Sequence, residues 1–358
     1  MADIHLLGLS RTELAQLCLA RGWPRWRSSQ IWSWIHQQGV SSFDEMTNLP
    51  LSLRQELASS TSIARPQVRK HSLSSDGTEK WAIGFEDDEC VEMVLIPDGV
   101  RQTLCVSSQV GCPVRCAFCS TGTQGFTRNL LPHEIVGQIF LARDILNDRG
   151  HTNVQRTLTN IVMMGMGEPL FNYDNVAKAL SIVMDPEGMA LSKRRITLST
   201  AGVAPLIERC GQELGINLAV SLHAPNDEIR NKIMPINRQF PIRELLAACQ
   251  KYPGHNEARK MTFEYVMLHG VNDSVENAKE LASLVRGLPA KINLIPWNPW
   301  PNAPFQSSSP SQIRCFAQTL EARGVAAFVR ASRGQDISAA CGQLKTKLLQ
   351  ESAAPVMN

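Results

Sequence analysis

Three cysteines, Cys112, Cys116 and Cys119, fall in the short stretch "GCPVRCAFCSTG" with the spacing C-x3-C-x2-C. Thiolates gathered on a loop are metal ligands, but a structural zinc takes four ligands and an iron–sulfur cluster usually takes four thiolates. No fourth cysteine follows. Either a distant residue such as His133 or Cys105 completes a zinc site, or a cluster keeps one position open for a ligand. Zinc knuckles repeat their C-x2-C pairs, and the chain has no second such pair, which favours the open cluster. Further on, "MMGMGEPL" places Gly165, Gly167 and Glu168 directly after an apolar run. Glycines there let a ligand approach the backbone, and a carboxylate can receive an ammonium group.

Length and composition bound the scaffold that must position these residues. A chain of 358 residues with 43% hydrophobic and 19% charged residues can build one large domain with additions, or two ordinary ones. No apolar run approaches the length of a membrane span, and the start "MADIHLLGLSRTE" lacks a signal peptide's basic and apolar regions. A cytoplasmic location with no membrane partner is expected. Cys18, Cys90, Cys210, Cys249 and Cys315 are scattered thinly and are assigned no role. That distribution favours cofactor chemistry over a disulfide scaffold. The net charge of +3 neither demands nor excludes a nucleic-acid partner.

Three regions follow in order: helical over 1–70, β-rich over 71–110, and alternating strand and helix over 111–350. In the first, Ser10 and Glu13 form a capping-box pattern ahead of Leu14, Leu17 and Cys18. Further helices are expected over "RSSQIWSWIHQQG", stopping at Gly39, and behind Pro50. The segment "RGWPRWR" interleaves tryptophans and arginines, which can stack on bases and engage phosphates, or simply pack and solvate a small helical core. In the second region "TEKWAIGF", "CVEMVLIP" and "RQTLCVSS" read as antiparallel strands. In the third, strands are expected at "LTNIVMMG", "RITLST", "INLAVSLH", "MTFEYVML", "KINLIP" and "AAFVR", with a helix at "SPSQIRCFAQTLEARG" capped by Ser309, Pro310 and Gln312. The predicted class is α/β: a parallel sheet with right-handed crossovers closing into a partial (β/α) barrel, preceded by a small helical domain and a β extension.

The cysteine run, with the aromatic Phe118 before its last member, resembles the cluster motif of radical S-adenosylmethionine enzymes. "LCVSSQVGCPVRCAFCSTGTQGFTRNL", "MGMGEPLFNY", "RRITLSTAGV", "LAVSLHAPND", "NLIPWNP" and "ASRGQDISAACGQL" together resemble the RNA methyltransferases of the RlmN type, which modify adenine at C2. The similarity runs from about residue 6 to 350. It implies a [4Fe-4S] cluster on Cys112, Cys116 and Cys119, whose open iron takes S-adenosylmethionine. Cofactor contacts are implied at Gly167, Glu168, Ser199, Ser221, Leu222, His223 and Asn298. Cys341 is implied as the methyl-carrying thiol, Cys105 as the resolving thiol and Glu92 as the proton acceptor.

Read without the family, Cys341 is better taken as a buried helical thiol, small and apolar. Glu92 could be an exposed edge residue, and His223 a packing residue. Adenine C2 is not nucleophilic, so direct attack on a sulfonium methyl fails there, whereas a thiolate takes that methyl readily. The resemblance implies 23S ribosomal RNA and transfer RNA as substrates, a disulfide between Cys105 and Cys341 after turnover, and an electron donor such as flavodoxin with its reductase. The related Cfr type, which modifies C8, and a zinc-stabilised RNA-binding module without catalysis are the alternatives.

Overall fold

The computed structural model describes residues 4–149 and 156–346, so the last residues of the third region, 347–350, lie outside it. Ile4–His5 (β1) pairs in parallel with Thr61–Ser62 (β2) and ties together the two ends of the helical region. Between them, Ser10 caps α1 (Arg11–Ala20): its Oγ accepts from Glu13 N, and its own N–H donates to Glu13 Oε2 at 2.7 Å. That is the predicted box. The second predicted helix begins as α2 (Trp26–Trp32) but widens into π turns over Ser33–Gln38 before Gly39, at φ 74°, ends it. α3 (Leu51–Ser60) follows Pro50 as expected.

Gln67–Leu73 (β3), Glu79–Gly84 (β4), Cys90–Asp98 (β5) and Arg101–Cys105 (β6) form an antiparallel meander. β3 corrects the helical reading of residues up to 70. It is an edge strand exposed at six of its seven positions, so the apolar alternation that marks a strand in sequence is missing. Gln109–Gly111 (β7) and Phe126–Asn129 (β8) then make a small hairpin around the cysteine loop and the short α4 (Ser120–Gln124).

From there helices and strands alternate: α5 (Pro132–Ile145), β9 (Leu158–Met163), α6 (Tyr173–Met184), β10 (Ile196–Thr200), α7 (Ala204–Glu213), β11 (Asn217–Ser221), α8 (Asp227–Ile233), α9 (Ile242–Gln250), β12 (Met261–Met267), α10 (Val275–Leu284), β13 (Ala290–Pro296), α11 (Pro310–Glu321) and β14 (Ala327–Val329). Ser309 caps α11 by accepting from Gln312 N, but the Gln312 side chain turns to the Asp273 carbonyl and does not reach back.

All these strands except the hairpin and the β1–β2 pair join one ten-stranded sheet, ordered β14-β13-β12-β11-β10-β9-β6-β5-β4-β3. Every pairing from β6 to β14 is parallel, so β6 is at once the last strand of the meander and the first of the parallel run. The ladder does not return to its first strand, and the barrel is therefore partial. Its central strands are buried on both faces; in β12 Phe263, Glu264 and Tyr265 are all inaccessible in succession. The helical region docks on α5, where His36 lies between the rings of Trp32 and Phe140. Burial, reinforced by the guanidinium groups of Arg65 and Arg143, pushes His36 down to about 3 and keeps it neutral.

Candidate active site

The parallel strands deliver their carboxyl ends, and the loops after them, to one side of the sheet. The cysteine loop is fixed there from four directions. Gly111 turns the chain at φ 74°, where an added Cβ would lie 1.9 Å from the Gly125 carbonyl oxygen, so only glycine fits. Cys112 N–H donates to that same oxygen at 2.8 Å, and Ala117 N–H to the Ile233 carbonyl at 2.9 Å. The indoles of Trp297 and Trp300 both donate to the Phe118 carbonyl. Cys112, Cys116 and Cys119 are free thiols on the wall of one cavity. Burial raises all three, Cys112 to about 12; Cys119 adds to the rise at Cys112 and Cys116, and Cys341 to that at Cys119, so a bound metal would favour loss of their protons. No three His, Cys, Asp or Glu side chains among the described residues converge on a point suited to a single ion. Three thiols arranged around a cavity suit a cluster, in which each binds a different iron.

Gly167 and Glu168 border the same cavity just after β9. Gly167 has φ 102° and presses on Gln109, whose Oε1 accepts from Glu168 N–H at 2.8 Å. The Glu168 carboxylate accepts from Thr200 Oγ1, Ala201 N–H and Leu170 N–H. Burial still outweighs these bonds and lifts it to about 7, so a cation arriving in the cavity would favour its ionised form.

Ser199 on β10, Ser221 on β11, His223 and Asn298 line the cavity as well. Leu222 does not; it is fully buried, and its N–H donates to the Glu264 carbonyl. His223, at φ 58°, accepts at Nδ1 from Val266 N–H, which leaves Nε2 as the protonated nitrogen. Burial, then Arg230, pushes it down to about 3, and its ring meets Phe118 edge-on at 4.8 Å. The histidine is thus a neutral donor held in a fixed pose.

A second cavity of about 380 Å³ opens beside the first, and Cys341, Cys119, Met164, Gly165, Asn298 and Arg330 contribute to both. Cys105, at the end of β6, lies on its wall with Cys341. Burial, with Cys341 adding to it, raises Cys105 to about 12. Both sulfurs are free thiols here. Cys341 is not in a helix: it sits in a turn whose carbonyl accepts from Asn298 Nδ2 at 3.3 Å, while Gly342 O accepts from Ser120 N–H.

Glu92 shares the inward face of β5 with Val94 and Ile96, which do line this cavity, but its own carboxylate opens on a neighbouring recess. It is not the exposed edge residue that the alternative reading allows. It is buried, paired with Lys80 Nζ at 3.0 Å, and accepts from Lys345 N–H at 2.8 Å. Burial raises its pKa, while Lys80 opposes the rise.

Two wall residues went unread in sequence. Arg330, just past β14, lines both cavities; the Cys341 thiol raises its pKa against burial, with help from Glu264 and Cys105. Glu264 on β12 lines the first cavity, accepts from Asn293 Nδ2 with one oxygen, and has no hydrogen-bond partner for the other among the described residues. A carboxylate at the centre of an apolar run within a central parallel strand was the available signal.

The chain's similarities agree with this geometry. Residues 4–63 match the ribosomal RNA large subunit methyltransferase N-terminal domain, and residues 106–282 match the radical SAM superfamily. A protein of Rhodospirillum rubrum named dual-specificity RNA methyltransferase RlmN is 53% identical over 99% of this chain and 83% of its own length. A namesake from Zymomonas mobilis is 51% identical over 98% of this chain and 91% of its own length. The crystal structure of a radical SAM methyltransferase from Sphaerobacter thermophilus is 46% identical, superposes with a TM-score of 0.90, and covers 96% of this chain and all of that one. The cluster loop, the two joined cavities and nearly full-length identity to these relatives together make this chain a member of the RlmN family of radical S-adenosylmethionine methyltransferases.

Proposed function

We propose that this protein methylates C2 of adenosine in RNA, acting on both 23S ribosomal RNA and transfer RNA, with Cys341 as the methyl carrier. The names of its relatives supply the substrate class. The observation that carries the mechanism is the position of Cys341 on the shared wall of the two cavities, with Cys105 on the far one.

The residues fit a [4Fe-4S] cluster and S-adenosylmethionine: three free thiols, a buried carboxylate at Glu168 and an unpartnered carboxylate oxygen at Glu264 border one cavity. Cys112, Cys116 and Cys119 would hold the cluster, and Gly167, Glu168, Ser199, Ser221, His223 and Asn298 the cofactor; Leu222, which does not reach the cavity, is left out. When bound, the pair supplies the methyl group and the one-electron chemistry that activates its carbon. Cys341 accepts the methyl on sulfur and presents it toward the second cavity, large enough for a base turned out of its stack. Arg330 is the cation beside that sulfur. Once carbon joins adenine C2, the base is tethered to Cys341. Glu92 accepts the C2 proton and the adduct gives back the odd electron that activated its carbon. The Cys105 thiolate then attacks the Cys341 sulfur and breaks its bond to the methylene carbon, which takes up a proton as the methylated base leaves and a disulfide remains. Two electrons from outside reset the pair, as in a reducing, cytoplasmic setting with a donor such as flavodoxin and its reductase.

Mass spectrometry of the Cys341 peptide tests the first step. Cluster-loaded protein supplied with S-adenosylmethionine is expected to carry one added methyl there. Cys341→Ala is expected to abolish both that methyl and RNA modification, and Cys105→Ala to leave RNA covalently attached to the protein. An unmodified Cys341 would break the mechanism at its start, and methyl at C8 in the RNA product would reassign the regiochemistry.

A further inference from the structure

Glu92 apart, the recess onto which its carboxylate opens, about 380 Å³ in volume, takes no part in the reaction as described. Lys70 of β3 and Lys80 of β4 reach it from the sheet, Ser120 from α4, Trp300 and Asn302 from the loop after β13, and Lys345 from the chain beyond Cys341. Its charge is lopsided. Glu92 is its only carboxylate, and Lys80 already pairs with it. Among the described residues the ammonium groups of Lys70 and Lys345 have no ion pair or hydrogen bond, so three ammonium groups share one carboxylate, which attracts Lys70 only from beyond ion-pair distance.

Its position gives that charge a purpose. Around Cys341 the chain divides two spaces: Cys341, Gly342 and Leu344 line the proposed base cavity, whereas Gln343 and Lys345 line this recess. Only three residues lie between Cys341 and Lys345, so their Cα atoms are at most about 14 Å apart. A strand that turns one base into the second cavity carries its adjoining phosphates over this neighbourhood. Free ammonium groups bind phosphodiester oxygens without regard to sequence, and an indole beside them offers a stacking face.

We propose that Lys70 and Lys345, with Lys80 behind them, form a binding site for a backbone phosphate of the RNA next to the target adenosine. The proposal rests on the reading of RNA as substrate.

The test is fluorescence anisotropy of a labelled RNA hairpin with an adenosine in its loop, titrated with the cluster-loaded full-length protein over a range of salt. The Lys70→Ala/Lys345→Ala double variant is expected to bind more weakly by the same factor for hairpins of different loop sequence. Its plot of log affinity against log salt should be shallower by about one for each lysine removed. An unchanged slope would overturn the proposal. Should the double variant melt at a lower temperature than the parent, Lys70→Glu on the exposed edge strand decides alone, with a shallower slope or an unaltered one. Parent protein that binds no RNA would instead overturn the substrate reading, and this site with it.

Discussion

Lys80 holds two acceptors at once, the Glu92 carboxylate and the Ser338 carbonyl, each at 3.0 Å. Both partners of the ion pair are largely removed from water, so breaking it strands a buried charge. Lys80→Met is expected to cost about 3 kcal/mol in urea unfolding, with most of that recovered when Glu92→Gln is added. The pH dependence follows from the direction of the shift. Burial already raises Glu92, and losing Lys80 raises it further, so the folded state holds that proton more tightly than the unfolded chain does. The variant's stability should therefore be greatest below about 4.5 and decline as pH rises, a trend that Glu92→Gln abolishes. Single residues were unevenly legible in the sequence. Clustered cysteines and a Gly-x-Gly-Glu turn announce themselves by spacing, and Cys105, Cys341 and Glu92 were reached only through resemblance. Arg330 gave no local pattern, and the signal at Glu264, a carboxylate within an apolar run, went unread, because a lone charge beside β-formers reads as solvent-facing until both faces of its strand are known to be covered.

The β7–β8 hairpin sets the geometry of the cluster loop. Gly111→Ala would drive a methyl group into the Gly125 carbonyl and force an unfavourable φ, a cost above about 1 kcal/mol. Iron bound per chain after reconstitution should fall, while the far-ultraviolet circular dichroism of the remaining fold stays as it was. Elements with a strong cap or a run of β-formers were legible: α1, α3, α11 and the parallel strands all lie where those signals put them. β3 and the hairpin were not. The first is polar on nearly every position, and the second has three residues on one side and four on the other, too few to show any period.

Across the whole molecule, one sheet carries both the meander and the parallel strands, so the recess, the base cavity and the cofactor cavity lie in sequence along it. The chain that bears Cys341 lies against this row without helix or strand of its own. Asp76 accepts from Gly334 N–H at 3.0 Å, and Asp336 accepts from Ser74 Oγ and Ser75 N–H. Although burial works the other way, the Gly334 and Thr78 bonds hold Asp76 well below the usual carboxylate range. Asp76→Ala is expected to speed cleavage within residues 331–346 in limited proteolysis and to lower the fraction of Cys341 methylated at a fixed time. Equal cleavage would show that the remaining bonds suffice.

Those bonds join residues very far apart in the chain: 253 positions for Glu92 and Lys345, 258 for Lys80 and Ser338, and 223 for Thr121 and Leu344. Contacts of such range form late, and a chain emerging from synthesis folds its earlier parts first. The cysteine loop and the strands through β13 are made before Cys341 exists. The thiol proposed as methyl carrier is consequently the last piece of the site to arrive, and on that reading an unfinished chain, however well its cluster loop has formed, has nowhere to put the group to be transferred.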